Sequence, residues 1–202
     1  MHSARILADS ISPDGIRLVT FEVTFPRIVL AEFNTHRTLS RNSASSRAIP
    51  VKKMLKMVKE NPYVPSVWGK NQRGMQAENL VTDEIAASSE IEWLKARDSA
   101  VKHVEKLLEL GIHKQLTNRL LEPFMWHTVI CTATEYGNLF NLRNNSAAHP
   151  DIMKPVALMQ GLYESHEPFV MDYGEWHLPL IFDEDWELAK PPRDRDWECS
   201  RS

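Results

Sequence analysis

Hydrophobic and polar positions change period several times along this chain, and each change marks an element. "IRLVTFEVTFP" (16–26) is β-branched and aromatic with partial alternation, which predicts a strand ended by Pro26. "PRIVLAEFNTHR" follows as a short helix, with Pro26 suited to its first turn. Between 34 and 49 there is no Gly or Pro, but Ser and Asn crowd the segment and favour turns and caps. "VKKMLKMVKE" (51–60) suits a basic amphipathic helix stopped by Asn61-Pro62, and 61–76 reads as a loop. A long helix is predicted over 77–110, with Trp93, Ala100, Val104, Leu107 and Leu108 near one face and Gly111 as C-cap. "HKQLTNRLLEP" reads as a further helix, with Leu116 and Leu120 on its inner side and Pro123 at its end. "MWHTVICTAT" (125–134) is the second strand, "EYGNLFNLRNN" a short helix or turn, and 150–164 another helix. The regular alternation of a doubly wound sheet is missing, so the expected class is α+β: a small antiparallel or mixed sheet with several helices, one of them long. Residues 1–190 are expected to form one domain, acidic and proline-bearing from Trp176 onward, and 191–202 a polar tail.

Composition narrows the function classes. The 202 residues are 43% hydrophobic and 25% charged, as in an ordinary soluble protein, with room for one full core. A net charge of -3 argues against a general nucleic-acid coat. The two cysteines, Cys131 and Cys199, have neither metal-ligand spacing nor the look of a disulfide framework, which points to a reducing cytoplasm and to no metal site. No stretch has the apolar length of a membrane span, and the first residues lack a signal-peptide core.

Charge is distributed unevenly. From 27 to 59 there are eight Lys/Arg against one acid, Glu32, a local balance of +7 in an acidic protein. At its centre lies "NTHRTLSRNSASSRAIP" (34–50), with three arginines, a histidine, many hydroxyls and no carboxylate. Ser43, Ser45 and Ser46 offer hydroxyls and loop amides, and Arg47 a planar fork, the donor set that suits a phosphate. The same composition also describes a serine-rich solvated loop capping a helix. The lysines of 51–59 suit a solvated face, and the absence of stacking aromatics there argues against single-stranded nucleic acid.

"THRTLSRNSASSR" resembles the signature of the flavin-dependent thymidylate synthases (ThyX), roughly R-H-R-x-x-S-x-N-E-x-S-x-R, with His36, Arg37, Ser40, Asn42, Ser45 and Arg47 in place. "NRLLEPF" and "TATEYGNLFNLRNNSAAHPDI" are similar to a second family block that contains Arg119, Pro123, Asn138 and Arg143. The resemblance implies a ThyX-like domain that binds FAD and methylates 2′-deoxyuridine 5′-monophosphate (dUMP) to dTMP. Methylenetetrahydrofolate would be the carbon donor and NADPH the reductant, in a homotetramer with shared sites. It implies that Ser45, Ser46 and Arg47, with Ser43 beside them and joined by Arg119, hold the phosphate. Arg143 would contact the pyrimidine, favour its ionised form and be the catalytic residue. His36 and Arg37 would lie along the flavin and its pyrophosphate, with Thr35, Asn138 and His149 also on the cofactor side. His127 and His177 read as structural or surface residues, and neither cysteine as a nucleophile.

Three departures from the pattern qualify these expectations. Thr35 stands where the signature has its first arginine. Ser43 replaces the signature glutamate, and Glu32 a glutamine three residues upstream, which opens the pyrimidine to cytosine as well as uracil and the product to hydroxymethyl as well as methyl. A further family block that contributes flavin contacts has no counterpart in the 202 residues. The expectation is therefore a divergent, phage-type, truncated or two-gene form, whose alternatives are a dUMP or dCMP hydroxymethylase and a non-catalytic nucleotide-binding paralogue.

Overall fold

The computed structural model describes residues 1–182, 184 and 185; the polar tail expected at 191–202, with Cys199, lies outside them. Among the described residues five strands form one mixed sheet: β1 (Ser3–Ile11), β2 (Arg17–Pro26), β3 (Ser40–Ser43), β4 (Trp126–Ala133) and β5 (Phe169–Val170), in the order β3-β4-β2-β1-β5. All neighbours are antiparallel except β5, which runs parallel to β1. Among the described residues six α-helices accompany them: α1 (Leu30–Asn34), α2 (Val51–Glu60), α3 (Asp83–Glu109), α4 (Lys114–Thr117), α5 (Gly137–Arg143) and α6 (Pro150–Ser165). The expected α+β class with one long helix is what is found.

Alternation in β2 sorts the sheet into two faces. Val19, Phe21, Val23 and Phe25 point one way and are fully buried; their partners on β4 are Ala133, Cys131, Val129 and His127. Ile152, Val156 and Met159 of α6 and Leu139 of α5 close over this face, and Phe21 meets Tyr136 edge to face at 5.2 Å. The opposite face is polar. Thr20 pairs with Thr132 and Thr24 with Thr128, each at 2.8 Å, while His177 bridges Ser10 and Thr20 at 2.7 and 2.8 Å. Of the two sequence readings of His177, structural or surface, these bonds give the structural one.

A second core lies under α2. Val51, Met54, Leu55 and Val58 recur at helical spacing and pack on Val101 and Val104 of α3 and on Leu121 and Phe124.

The differences from the predicted elements have local causes. β1 went unread because Leu7 is an extra residue in a bulge between Ile6 and Ala8, which breaks the alternation. β3 is four polar residues, and β5 only two. The long helix starts at Asp83 rather than 77, because Lys70 and Val81 bond to Asn79 and Trp68 and hold 79–81 extended. On its inner face Val101 joins Val104, whereas Leu108 is 37% exposed. The predicted 113–123 helix turns 3-10 from Asn118 to Phe124. Within α4 Thr117 is already the buried residue and Leu116 exposed; from Asn118 the inward positions recur every three residues, so Asn118, Leu121 and Phe124 are buried and Leu120 stays exposed.

Candidate functional site

Two polar clusters flank the segment 34–50. The first forms where α1 ends and α5 ends. Arg143, the last residue of α5, donates from Nε to His36 Nε2 at 3.0 Å and from Nη2 to Thr35 Oγ1 at 3.2 Å. Its Nη1 lies 3.5 Å from Glu32 Oε2. His36 is 3% exposed, and with Nε2 accepting from a guanidinium its ring proton belongs on Nδ1. Burial, then the charges of Arg143 and Arg41, hold its pKa below the ordinary 6.5. His36 is therefore a neutral acceptor that aims Arg143. Arg41 is taken up in the backbone, donating to the carbonyls of His36 at 2.8 Å and Phe33 at 3.3 Å, and so ties the start of β3 to the end of α1.

The second cluster joins the 44–50 loop to the 118–124 turn. The Asn118 side-chain amide is buried and donates to the carbonyls of Ser46 at 2.7 Å and Ile49 at 2.9 Å, which fixes the loop. Ser46, also buried, donates its hydroxyl to Glu122 Oε1 at 2.6 Å. Arg119 Nη1 reaches the same oxygen at 3.3 Å and Arg27 Nη2 comes within 3.6 Å. Arg27 also lies across the His127 ring, 3.1 Å from Nε2. Sequence reasoning missed Glu122 and Arg27. Glu122 was legible as the acid three residues after Arg119, but nothing local pairs it with Ser46.

The remaining expected site residues are not drawn into contact with these clusters. Arg37, Ser43, Ser45 and Arg47 are exposed, and Ser45 Oγ accepts from the Arg47 amide at 3.4 Å. Asn138 is exposed on the first turn of α5. His149 caps α6, accepting from the Asp151 amide at 3.2 Å beside the buried Asp151–Tyr63 pair. A cavity of about 600 Å³ lined by Ala96, Ala100, Leu107, Leu120 and Phe124 lies between α3 and the 118–124 turn, and its walls are mainly apolar.

Cys131 is fully buried on the core face, and burial pushes its thiol up to about 12. Such a thiol is not a thiolate at neutral pH and cannot act as a nucleophile there. The arrangement offers a fixed cation on a neutral imidazole, a basic loop with exposed arginines, and no activated thiol among the described residues.

His127 carries a pH prediction. Burial first, then Arg27, lowers its pKa to about 4. The unfolded chain, with an ordinary histidine value of 6.5, takes up the proton first as pH falls. Stability therefore declines between about pH 6.5 and 4 and is unaffected by this group above that window. Urea midpoints at steps from pH 7.5 to 4.5 are expected to fall across the window. His127→Gln is expected to flatten the slope, and a slope unchanged by the variant would place its origin elsewhere.

Residues 16–168 match the family model described as thymidylate synthase complementing protein. No curated protein matches the chain in sequence. Among solved structures it is similar to the UMP/dUMP methylase PolB from Streptomyces cacaoi bound with 5-Br UMP: TM-score 0.65 at 14% identity, over 81% of this chain and 88% of that one. For PolB bound with 5-Br dUMP the values are 0.59 and 18%, over 73% and 65%. At these identities the likeness establishes a shared fold.

Proposed function

The chain belongs to the thymidylate synthase complementing protein family, and from that premise we propose that it is a flavin-dependent thymidylate synthase converting dUMP to dTMP with methylenetetrahydrofolate and NADPH. The carrying observation is Arg143, held by His36, Thr35 and Glu32 at the edge of the basic 34–50 segment. A guanidinium positioned in advance stabilises negative charge developing on a pyrimidine without exchanging a proton. The burial of Cys131 supports a route that needs no enzyme thiolate.

The phosphate of dUMP would be held by Ser45, Ser46, Arg47 and Arg119, with Ser43 alongside. The loop supports this role, because Asn118 holds it in one shape while Arg47 and Ser45 remain exposed. Some of the donors suit FAD: Arg37 is an exposed cation suited to a pyrophosphate, Asn138 is an exposed amide suited to a ring edge, and Thr35 and His36 directly precede Arg37 in the chain. His149 would face the same cofactor. When bound and reduced, FAD supplies the hydride that completes the methyl group.

Uracil is the base we assign. Glu32 lies 3.5 Å from Arg143, so its charge is met by a guanidinium and is not left to seek the amine of cytosine. PolB, which is bound with 5-Br UMP and 5-Br dUMP, is a UMP/dUMP methylase by name and supports the same choice. We read 1–190 as the catalytic domain of a cytoplasmic homotetramer. No helix among the described residues is long and apolar enough to cross a membrane. Leu110, Leu116 and Leu120, exposed by 65%, 63% and 44%, offer an apolar surface to a second copy.

The test is the visible spectrum of the protein with FAD, before and after dUMP, followed by NADPH oxidation. A retained flavin band that shifts with dUMP, and oxidation that requires dUMP and methylenetetrahydrofolate together, are the expected results. A colourless protein that binds dUMP would identify a nucleotide-binding paralogue, and turnover on dCMP alone or release of a hydroxymethyl product would move the reaction class.

A further inference from the structure

Groups from three separate segments converge on one carboxylate oxygen, Glu122 Oε1: the Ser46 hydroxyl donates at 2.6 Å and Arg119 Nη1 at 3.3 Å, and Arg27 Nη2 stands 3.6 Å away as an ion-pair partner. The Glu122 side chain is 20% exposed, so it lies within the protein's polar surface and is not loosely solvated. Ser46 and Arg119 are also residues assigned above to the ligand's phosphate. A carboxylate and a phosphate oxygen ask for the same charge-assisted hydrogen bonds, so both anions cannot hold these donors at once.

We propose that Glu122 is an internal anion that occupies the phosphate donors when the site is empty, and that a 5′-phosphate binds by displacing it. The inference rests on the phosphate reading of Ser45, Ser46, Arg47 and Arg119. The displaced carboxylate has a partner to retain, because Arg27, which is not among the residues assigned to the phosphate, lies 3.6 Å from it and is itself placed against the His127 ring. Asn118 holds the loop backbone independently of Glu122, so the loop keeps its shape while the carboxylate moves. Glu122 thereby sets how strongly the site prefers a nucleotide to a nucleoside: its charge opposes an incoming dianion and is indifferent to an uncharged ribose end.

The experiment measures binding of dUMP and of deoxyuridine, with FAD present, to the unaltered protein, Glu122→Gln and Arg47→Ala. Removing the competing charge is expected to tighten dUMP binding about tenfold, equivalent to about 1.4 kcal/mol, and to leave deoxyuridine unchanged. The nucleotide-to-nucleoside ratio therefore rises, which a merely structural staple would not produce. Arg47→Ala is expected to weaken dUMP and spare deoxyuridine. If Arg47→Ala behaves so but Glu122→Gln binds dUMP no better, the proposal falls and the phosphate reading stands. If Arg47→Ala leaves both ligands unaffected, the phosphate reading fails and takes the proposal with it. Should Glu122→Gln not fold, Glu122→Asp draws the same charge back from Ser46. A gain for dUMP of two- to threefold (about 0.5 kcal/mol) is then expected, and no gain overturns the proposal.

Discussion

Arg143→Ala is expected to lower kcat/KM for dUMP about a hundred- to a thousandfold, the usual cost of removing one preorganised donor from a developing anion. The loss should fall mainly on kcat, because the proposed role is to stabilise charge that grows during reaction and not to anchor the ground state. Three acceptors on different residues hold the guanidinium: His36 at 3.0 Å, Thr35 at 3.2 Å and Glu32 at 3.5 Å. A lysine has the charge but cannot present a planar fork to all three, so Arg143→Lys is expected to recover little. Folding should survive, since Arg143 is half-buried and sits at a helix end. Steady-state kinetics with melting curves of both variants checks this. A loss under about tenfold for Arg143→Ala, smaller than any preorganised donor usually gives, would remove Arg143 from the chemistry.

The second large effect is on stability. Asp9 is fully buried and pairs through both oxygens with Arg17, at 2.9 and 2.6 Å, while His166 Nδ1 approaches at 2.9 Å. Arg17 in turn donates to the carbonyls of Tyr163 and His166 at 3.0 Å and lies 4.1 Å above the Tyr163 ring. This cluster fastens β1 and β2 to the C-terminus of α6. Removing one partner of a buried pair costs about 3–5 kcal/mol. For Asp9→Ala we expect about 3 kcal/mol, the lower end, because Arg17 keeps two carbonyl acceptors and an aromatic face. In a protein of this size that lowers Tm by roughly 10 °C. Burial alone would raise the Asp9 carboxyl, but hydrogen bonds from Arg17 and His166, and their charges, outweigh it and hold the pKa below 3.8. Its contribution is thus complete above the unfolded value and is lost as pH falls through the lower folded one. Thermal melts at pH 7 and in steps below pH 4 test both statements. A change in Tm under about 3 °C for Asp9→Ala, the equivalent of roughly 1 kcal/mol, would show that the carbonyls and ring suffice to hold Arg17.

Much of the fold was legible because its longer elements carry a period of their own. β2, β4, α2 and α6 appear within a residue or so of where alternation or helical spacing places them. The elements missed are those in which the period is broken or too short to see: bulged β1, polar β3 and two-residue β5. The turn at 118–124 shows a different failure. Leu116 and Leu120 stand four apart and look inward on an α-helix, but Leu116 is exposed in α4 itself, and the tightening to 3-10 from Asn118 turns Leu121 inward in place of Leu120. The candidate site divides in the same way. Sequence motifs singled out His36, Thr35, Glu32, Ser46, Arg119 and Arg143, and the structure adds that Arg41 serves the backbone and that Glu122 stands among the phosphate donors.

By itself the sequence determined the α+β class, the alternation of the two long strands, the concentration of cations in 27–59 and the family to which the chain belongs. Only the tertiary structure decided which polar groups meet. Arg143 reaches Thr35 and His36 across 108 and 107 positions, and Ser46 reaches Glu122 across 76. Period and propensity act over a few residues, whereas these contacts depend on how the packed sheet and helices bring distant helix ends, a loop and a turn into hydrogen-bonding range.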